Sequence, residues 1–269
     1  MKPETWVQMA LLTWFVLLAI AEVLWAKQGG EQDKRTGDAR LLTNFGLTAL
    51  ILAASALLPV ARITSSDLAG RLHLGVANLV QVPWLAAFAL LLIVDSLAAY
   101  WVHRLMHATP VLWRVHRVHH ADTAVDVSTS LRNHPLELLA TVPVASLVVL
   151  LTGAPVSVVL GVQAAGIAAA IWQHADIGLP ARVDRALATT IFTPRLHRLH
   201  HNPERAVHDS NFGETIVLWD WLFGTLNRGE GRQPVGLKGQ SLRPDHLLDQ
   251  IWSPLFADRS ASGATPAGP

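Results

Sequence analysis

Long apolar runs alternate with short polar segments along most of this chain. Runs with at most one charged residue cover positions 6–25, 41–61 and 82–102, and each is long enough to cross a bilayer as a helix. Residues 138–173 contain no charged residue, and Thr-Gly-Ala-Pro at 152–155 divides them into two apolar pieces. The pattern predicts an all-α integral membrane protein with about four transmembrane helices, the last pair forming either a hairpin or a re-entrant pair.

The polar segments indicate how the chain is oriented. Residues 6–25 could be read as a signal peptide, but the charged start is weak and the apolar run is long, so we expect a retained span. The following loop, residues 27–40, carries four lysines and arginines ending at Arg40, which predicts a cytoplasmic position. The mixed segment 62–81 is expected at the membrane interface, with a helix capped at Ser65-Ser66-Asp67.

Composition narrows the function classes. Hydrophobic residues make up 51% of the chain and charged residues only 15%, against about a quarter charged in soluble proteins. The formal net charge of +1 argues against a nucleic-acid partner, which would require a concentrated basic face. The chain has no cysteine, so disulfides, thiolate-bound metals and cysteine nucleophiles are excluded. Any bound metal must therefore be held by nitrogen and oxygen.

The histidines are grouped rather than scattered. His103 and His107 are four residues apart, and the sequence Val-His-Arg-Val-His-His at 115–120 returns as Leu-His-Arg-Leu-His-His at 196–201. Residues i, i+3 and i+4 share one face of a helix, so each group directs its imidazoles to one region. Imidazole is the commonest protein ligand for zinc, copper and iron, which predicts a metal site.

The predicted span directions bring all these groups to the cytoplasmic membrane face. One catalytic metal usually takes three protein ligands, so this larger number predicts two metals. His134, which stands before Pro135, is a weaker candidate that could instead donate a hydrogen bond to a ligand or end a loop. The other candidate ligands are His103, His107, His116, His119, His120, His174, His197, His200 and His201.

Three polar residues near these groups are expected to orient the ligands. Asp95 lies two turns before His103 in an apolar span, where a charge is costly, although it could serve a helix–helix hydrogen bond. Tyr100 lies one turn before His103 and could instead belong to an interfacial aromatic belt. Asn211 follows the second histidine box. Further outer candidates are Asp126, Asp176 and Asp209.

The order of these motifs resembles the fatty acid hydroxylase superfamily, also called the sterol desaturase family. The matching motifs are His103-Arg-x-x-His107, His116-x-x-His119-His120, Arg132-x-His134-Pro-Leu-Glu137, His174, His197-x-x-His200-His201, Asp209-Ser-Asn211-Phe-Gly213 and Trp219-Asp-x-Leu-Phe-Gly224-Thr225. The resemblance implies a four-helix membrane architecture with a cytosolic helical cap over a diiron centre held by histidines.

The resemblance also implies that O2 is used to hydroxylate or desaturate a C–H bond of a lipid of sterol, alkylglycerol or fatty-acyl type. Both reactions begin with abstraction of a hydrogen atom by the same oxidised metal unit, so both stay open. The sequence carries no dinucleotide fingerprint, haem attachment motif or cysteine set for an iron–sulfur cluster. Electrons are therefore expected from a separate ferredoxin- or cytochrome-type donor with its reductase.

The main alternative is a membrane hydrolase with two zinc ions that acts on a lipid. Such an enzyme needs a carboxylate base inside a metal box, and no box here contains one. A transporter would carry its histidines or acids in the middle of its spans rather than at their ends. We expect one membrane domain over residues 1–258, with the histidine boxes at about 95–225, and a disordered tail at 259–269.

Overall fold

The computed structural model describes residues 3–27, 37–57, 61–229, 232–239 and 243–256. The helices are α1 (Pro3–Lys27), α2 (Asp38–Leu57), α3 (Ala61–Arg71), α4 (Val76–Leu79), α5 (Trp84–Ala108), α6 (Pro110–His120), α7 (Leu138–Thr152), α8 (Val156–His174), α9 (Ala181–Leu187), α10 (Pro194–His200), α11 (Arg205–His208), α12 (Leu218–Leu222) and α13 (Leu247–Trp252). Three 3-10 turns lie at Val127–Leu131, Pro135–Glu137 and Ser253–Leu255. The described residues pair as β structure only in one isolated bridge, between Ile191 and Ile216. The predicted all-α class is confirmed.

Within the described residues, four helical segments are long and apolar enough to cross a membrane. They are Thr5–Ala26, Trp84–Ala108, Pro135–Thr152 and Val156–His174. Large apolar side chains on these segments face outward, for example Leu12 at 65% exposure and Leu85 at 72%. An exposed apolar surface of this extent is typical of contact with lipid. The prediction of about four spanning helices is confirmed, although α2, predicted as the second span, is not one of the four in the described part of the chain.

Three of the spanning helices run in the same direction. Trp14 of α1 stacks on Trp172 of α8 and donates its indole N–H to the carbonyl of Ala168 at 3.0 Å. Phe88, near the start of α5, packs against Gly161 in the first half of α8. The carboxyl ends of α1, α5 and α8 therefore lie at one end of the bundle, and α7 runs antiparallel to them.

The connection between α7 and α8 lies at residues 152–155, as the sequence predicts. Gly153 ends α7 with φ 66°, and Gly75, in the loop before α4, has φ 84°. A Cβ atom on Gly75 would stand 2.2 Å from the backbone nitrogen of Gly153. Glycine is therefore required at both positions, by backbone conformation and by the close contact. Because both arms are long enough to span, a hairpin is favoured over a re-entrant pair.

Two predictions about polar segments are wrong. Ser65-Ser66-Asp67 does not cap a helix but lies inside α3, where the hydroxyl of Ser66 donates to the carbonyl of Ala154 at 2.7 Å. Arg40 is not a loop charge: it is buried in the first turn of α2 and pairs with Asp122 and Asp126, because these two carboxylates of the segment after α6 lie beside it. Loop residues 28–36 and the predicted tail lie outside the described residues.

Candidate metal centre

Nine buried histidines form two groups at the end of the bundle where α5 and α8 finish. Cluster A consists of His103, His107, His116, His120 and His200, and cluster B of His119, His174, His197 and His201. Within each cluster, one ring nitrogen of every member lies within 4.8 Å of the others. The sequence predicts ten candidate ligands, which are these nine histidines and His134.

Each HxxHH box contributes its i and i+4 histidines to one cluster and its i+3 histidine to the other. The assignments are His116 and His120 to cluster A with His119 to cluster B, and His197 and His201 to cluster B with His200 to cluster A. On a helix, position i+4 is rotated by about 40° from position i and position i+3 by about 60° in the opposite sense. Each box can therefore face two centres at once. Helix α5 completes cluster A with two histidines, and α8 completes cluster B with one.

The ring nitrogens approach each other as ligands of one ion do. In cluster A, Nε2 of His103 lies 3.0 Å from Nε2 of His116 and 2.9 Å from Nε2 of His200. In cluster B, Nε2 of His174 lies 3.1 Å and 2.9 Å from two further Nε2 atoms. Two nitrogens that bind an ion at right angles, each about 2.1 Å from it, stand about 3 Å apart. The spacing fits one metal ion in each cluster.

Unpaired nitrogen atoms give a second test of the metal hypothesis. Both ring nitrogens of His120 are buried without a hydrogen-bond partner among the described residues, as is Nε2 of His107. Burying a polar atom without a partner is costly, so nearly all such atoms are paired in folded proteins. A metal bound by imidazoles would remove this cost. A donor set of imidazoles without thiolates suits zinc, copper or iron.

Backbone carbonyls orient four of the nine imidazoles. Each carbonyl faces an Nδ1 atom, which fixes the hydrogen there and leaves the lone pair of Nε2 for a metal. The Nδ1–carbonyl distances are 2.8 Å for His103 to Phe212, 2.8 Å for His200 to Ser210, 2.9 Å for His119 to Arg132 and 2.6 Å for His174 to Ala170.

Asn211 stands between two of these carbonyls and shapes the loop that carries them. Its backbone is left-handed with φ 57°, and its amide group donates to the carbonyls of Leu196 and Asn227 at 2.9 Å each. The next two backbone N–H groups of the loop donate to the carboxylate of Asp220, at 2.8 Å and 2.7 Å. Asn211 therefore supports His200 and His103 of cluster A through the backbone rather than by direct contact.

The other two predicted orienting residues lie further from the histidines. Tyr100 is fully buried; its hydroxyl is 3.0 Å from the Thr225 hydroxyl, and its ring packs edge-on against Phe212. Asp95 forms an ion pair with Arg62 at 3.2 Å and contacts none of the nine histidines.

The three outer candidates divide in the same way. Asp209 lies beside cluster A, with Oδ1 3.2 Å from Nδ1 of His107. Asp126 and Asp176 instead form ion pairs with arginines.

The structure does not bring His134 to either cluster. Its Nδ1 accepts the backbone N–H of Leu136 at 3.1 Å, and its Nε2 lies 3.1 Å from the carbonyl of Ile251. Both ring nitrogens are thus engaged by the backbone. The residue caps the 3-10 turn at Pro135–Glu137.

Sequence reasoning missed two residues beside cluster A. His208 stacks on Trp113 with ring centroids 5.4 Å apart, and it forms a third group of close donor atoms with His107 and Asp209. Glu137 has Oε2 3.6 Å from Nδ1 of His116. Glu137 closes the Arg132–Glu137 motif and His208 precedes Asp209, and these positions were the available signals.

A buried polar network behind cluster B was also missed. The guanidinium group of Arg132, whose carbonyl orients His119, donates to Asn44 of α2 at 2.9 Å and to the carbonyl of Val118 at 2.7 Å. Asn44 in turn donates to Asp122 at 3.1 Å, beside Arg40. The first turns of α2 thus support the site. The signal in the sequence was the i, i+4 spacing of Arg40 and Asn44 on an otherwise apolar helix.

Burial keeps five histidines of the two HxxHH boxes neutral. The pKa of each is lowered well below its ordinary value, first by desolvation and then by neighbouring imidazoles. These residues are His119, His120, His197, His200 and His201. Neutral imidazole is the form that binds metals.

A cavity of about 220 Å³ reaches both clusters. Its wall includes two histidines of cluster A and three of cluster B, together with apolar side chains of the spans such as Val102 and Val144. Four charged residues also line it: Arg62, Asp95, Glu137 and Glu214. The cavity can therefore hold an apolar chain with a polar end. A chain bound there would face both clusters at once.

A family model described as fatty acid hydroxylase matches residues 88–225, just over half of the chain. The chain belongs to the fatty acid hydroxylase family. The matched region contains every histidine of clusters A and B. The resemblance inferred from the motifs is confirmed.

Curated relatives of this family member are lipid oxygenases. The chain is 29% identical over 220 residues to the ornithine lipid hydroxylase OlsE of Rhizobium tropici, covering 81% of this chain and 64% of the relative. It is 27% identical over 164 residues to human alkylglycerol monooxygenase, covering 59% and 36% of the two chains. The chain thus spans less than two thirds of the first relative and just over a third of the second. No solved structure matches the chain.

Proposed function

We propose that this protein is a membrane-bound, non-haem diiron oxygenase that hydroxylates a lipid. The observation that carries the proposal is the cavity whose wall joins both histidine clusters to the apolar surface of the spans. Family membership and the two lipid oxygenases among the relatives support the same reaction class. Two iron ions, one in each cluster, would supply the oxidising power to insert one atom of O2 into a C–H bond.

The chain's own residues bind the substrate and control the environment of the reaction. Val102, Val144 and Ala145 offer apolar contact to the chain of the lipid, while the buried position of the histidines keeps bulk water away. The volume of about 220 Å³ is small for a whole lipid, since pockets for drug-sized ligands start at about 300 Å³. The cavity would therefore hold the reacting part of the lipid, and the rest of the tail would stay in the membrane.

The charged cavity residues favour a lipid with a polar headgroup close to the reacting carbon. Arg62 and Asp95 pair with each other, while Glu137 and Glu214 add two further acids to the wall. Alkylglycerol-type and amino-acid lipids have such headgroups, which matches the names of the relatives. Sterol and fatty-acyl lipids remain in the same proposal as less polar members of the substrate class.

The reaction also requires two electrons and two protons, which reduce the second oxygen atom to water. We propose that the electrons come from a separate ferredoxin- or cytochrome-type donor with its reductase. We further propose that the site faces the cytoplasm, as Lys27, Lys34 and Arg35 after the first span indicate.

The decisive experiment combines metal analysis with isotopically labelled O2. Protein purified after iron-replete expression should contain about two irons per chain. After reduction it should transfer one labelled oxygen atom to an alkylglycerol or amino-acid lipid. Lipid cleavage without O2 uptake, in protein that holds zinc, would contradict the oxygenase and support the hydrolase.

A further inference from the structure

A second cavity, of about 600 Å³, lies beside cluster B and is lined by no histidine of the described chain. It is bounded by the end of α1, by the segment that follows α8, by α9 and α10, and by Arg228 and Arg232. Its charged lining residues are Asp176, Asp184, Arg185, Arg195, Arg198, Arg228 and Arg232. Five arginines against two aspartates make the described wall of this cavity strongly positive.

The two aspartates are occupied by three of the arginines. Asp176 accepts hydrogen bonds from Arg198 at 2.7 Å and from Arg232 at 2.7 Å and 2.9 Å. Asp184 accepts from Arg195 at 2.5 Å. These pairs hold part of the basic wall in place, since a guanidinium that faces a carboxylate is well oriented.

Two further arginines are available to a ligand. The guanidinium groups of Arg185 and Arg228 line the cavity, and the described residues give neither of them a hydrogen bond or an ion pair. A third donor, the indole N–H of Trp25, is buried without a partner in the described chain. Buried donors of this kind normally have partners. An anion with several oxygen atoms could accept from all three groups.

The cavity also has an apolar wall at the boundary of the membrane. Ile177, Leu179 and Ala188 line it, and the backbone at Gly178 lies directly against the ring of Trp25. Trp25 is next to the end of one spanning segment, and Asp176 follows the end of another by two residues. Tryptophan is enriched at membrane interfaces, and basic pockets at this depth bind anionic lipid headgroups.

We propose that this cavity binds the phosphate of an anionic phospholipid at the membrane boundary. Arg185, Arg228 and the Trp25 N–H bind the phosphate oxygens, and the apolar wall contacts the start of the acyl chains. The proposal rests on this cavity alone and does not require that the protein be a hydroxylase. Inorganic phosphate offers the same oxygens without the chains, so the experiment must separate the two sources.

The test measures thermal unfolding of the purified full chain in uncharged detergent. Short-chain phosphatidylglycerol should raise the unfolding temperature by about 5 °C at a hundredfold excess over its Kd. Short-chain phosphatidylcholine, whose headgroup carries no net charge, should raise it much less. Equal shifts with the two lipids would overturn the proposal. An equal shift with inorganic phosphate would assign the cavity to free phosphate and overturn the lipid source.

Paired variants locate the effect. The double variant Arg185→Gln and Arg228→Gln should lose most of the shift, and Trp25→Phe should lose a smaller part. Arg182→Gln, an exposed residue of α9 outside the cavity wall, is the matched control and should keep the full shift. Binding by the double variant at wild-type strength would show that the arginines are not the site. If the double variant kept the full shift with phosphatidylglycerol but was no longer reduced by an acidic electron-donor protein, Arg185 and Arg228 would form a protein-docking surface. The lipid proposal would then be wrong.

Discussion

The two HxxHH boxes are nearly identical in sequence but stand in different surroundings. Each box gives two histidines to one cluster and one to the other, but α5 adds two histidines to cluster A, whereas α8 adds only His174 to cluster B. Cluster A therefore has five imidazoles and cluster B four. The same local pattern produces two unequal centres because its neighbours differ.

The arginine inside each box shows the same contrast. Arg117 donates to the backbone carbonyls of Ser253 and Phe256 and so connects α6 to the 3-10 turn that follows α13. Arg198 donates instead to the carboxylate of Asp176 and so connects α10 to the segment after α8. Both arginines are buried. They hold two similar helices to different parts of the protein.

The largest effect is expected from the i+3 histidines, which link each box to the other cluster. His119→Ala should remove the ion of cluster B, and His200→Ala should weaken binding of the ion in cluster A, where four imidazoles remain. Each change should lower lipid oxidation by at least about 100-fold, while membrane insertion stays intact. Metal analysis and product formation measure the two effects. His246 lies outside both clusters, so His246→Ala is the control. Full metal content in His119→Ala would disprove the hypothesis that histidines of both boxes bind the ion of cluster B.

The second prediction concerns the unequal number of ligands. His120→Ala leaves four imidazoles in cluster A, but the equivalent change His201→Ala leaves three in cluster B. We expect the cluster B variant to lose more metal during dialysis against a chelator, because fewer ligands remain to hold the ion. Equal metal loss from the two variants would show that the fifth imidazole of cluster A does not bind.

The third prediction concerns the loop that orients cluster A. Asn211→Ala should weaken metal binding in cluster A by about 10- to 100-fold and leave cluster B unchanged. Asn211→Gly should do less harm, because glycine adopts the φ of 57° without strain even though the side-chain bonds are lost. Chelator titration of both variants provides the measurement. Equal loss of metal affinity in the two clusters would mean that the loop supports both clusters and not cluster A alone.

The fourth prediction compares the two buried arginines. Arg117→Met and Arg198→Met should each cost about 1–3 kcal/mol of folding free energy, because buried acceptors lose their donors. The loss should be smaller for Arg198→Met, since Arg232 still binds Asp176. Thermal unfolding in detergent measures both variants. A larger loss for Arg198→Met would mean that Arg232 does not compensate.

The smallest effect is expected at His134. Its replacement by alanine removes the cap of one 3-10 turn and should cost about 1 kcal/mol. Metal content should stay at the wild-type level, because both ring nitrogens face the backbone. A loss of metal equal to that of His119→Ala would return His134 to the ligand set.

Local sequence pattern is sufficient to predict most of the long helices and the histidines that cluster. Apolar runs of membrane length predict helices because the backbone must satisfy its own hydrogen bonds in lipid. The i, i+3 and i+4 spacing places histidines on one helix face wherever the helix lies in the protein. For these reasons the four spanning helices, the break at 152–155 and all nine clustered histidines could be predicted from local pattern alone, although the same criterion also predicted a span at α2.

Tertiary structure alone decided how these residues are combined. Which histidine joins which cluster depends on the relative rotation of α6 and α10, which no local spacing records. Arg40 meets Asp122 across 82 positions of the chain, and Asp95 pairs with Arg62 from another helix. The arginines of the second cavity likewise come from separate segments. Long-range contacts depend on how helices pack, whereas sequence periodicity describes only one helix at a time.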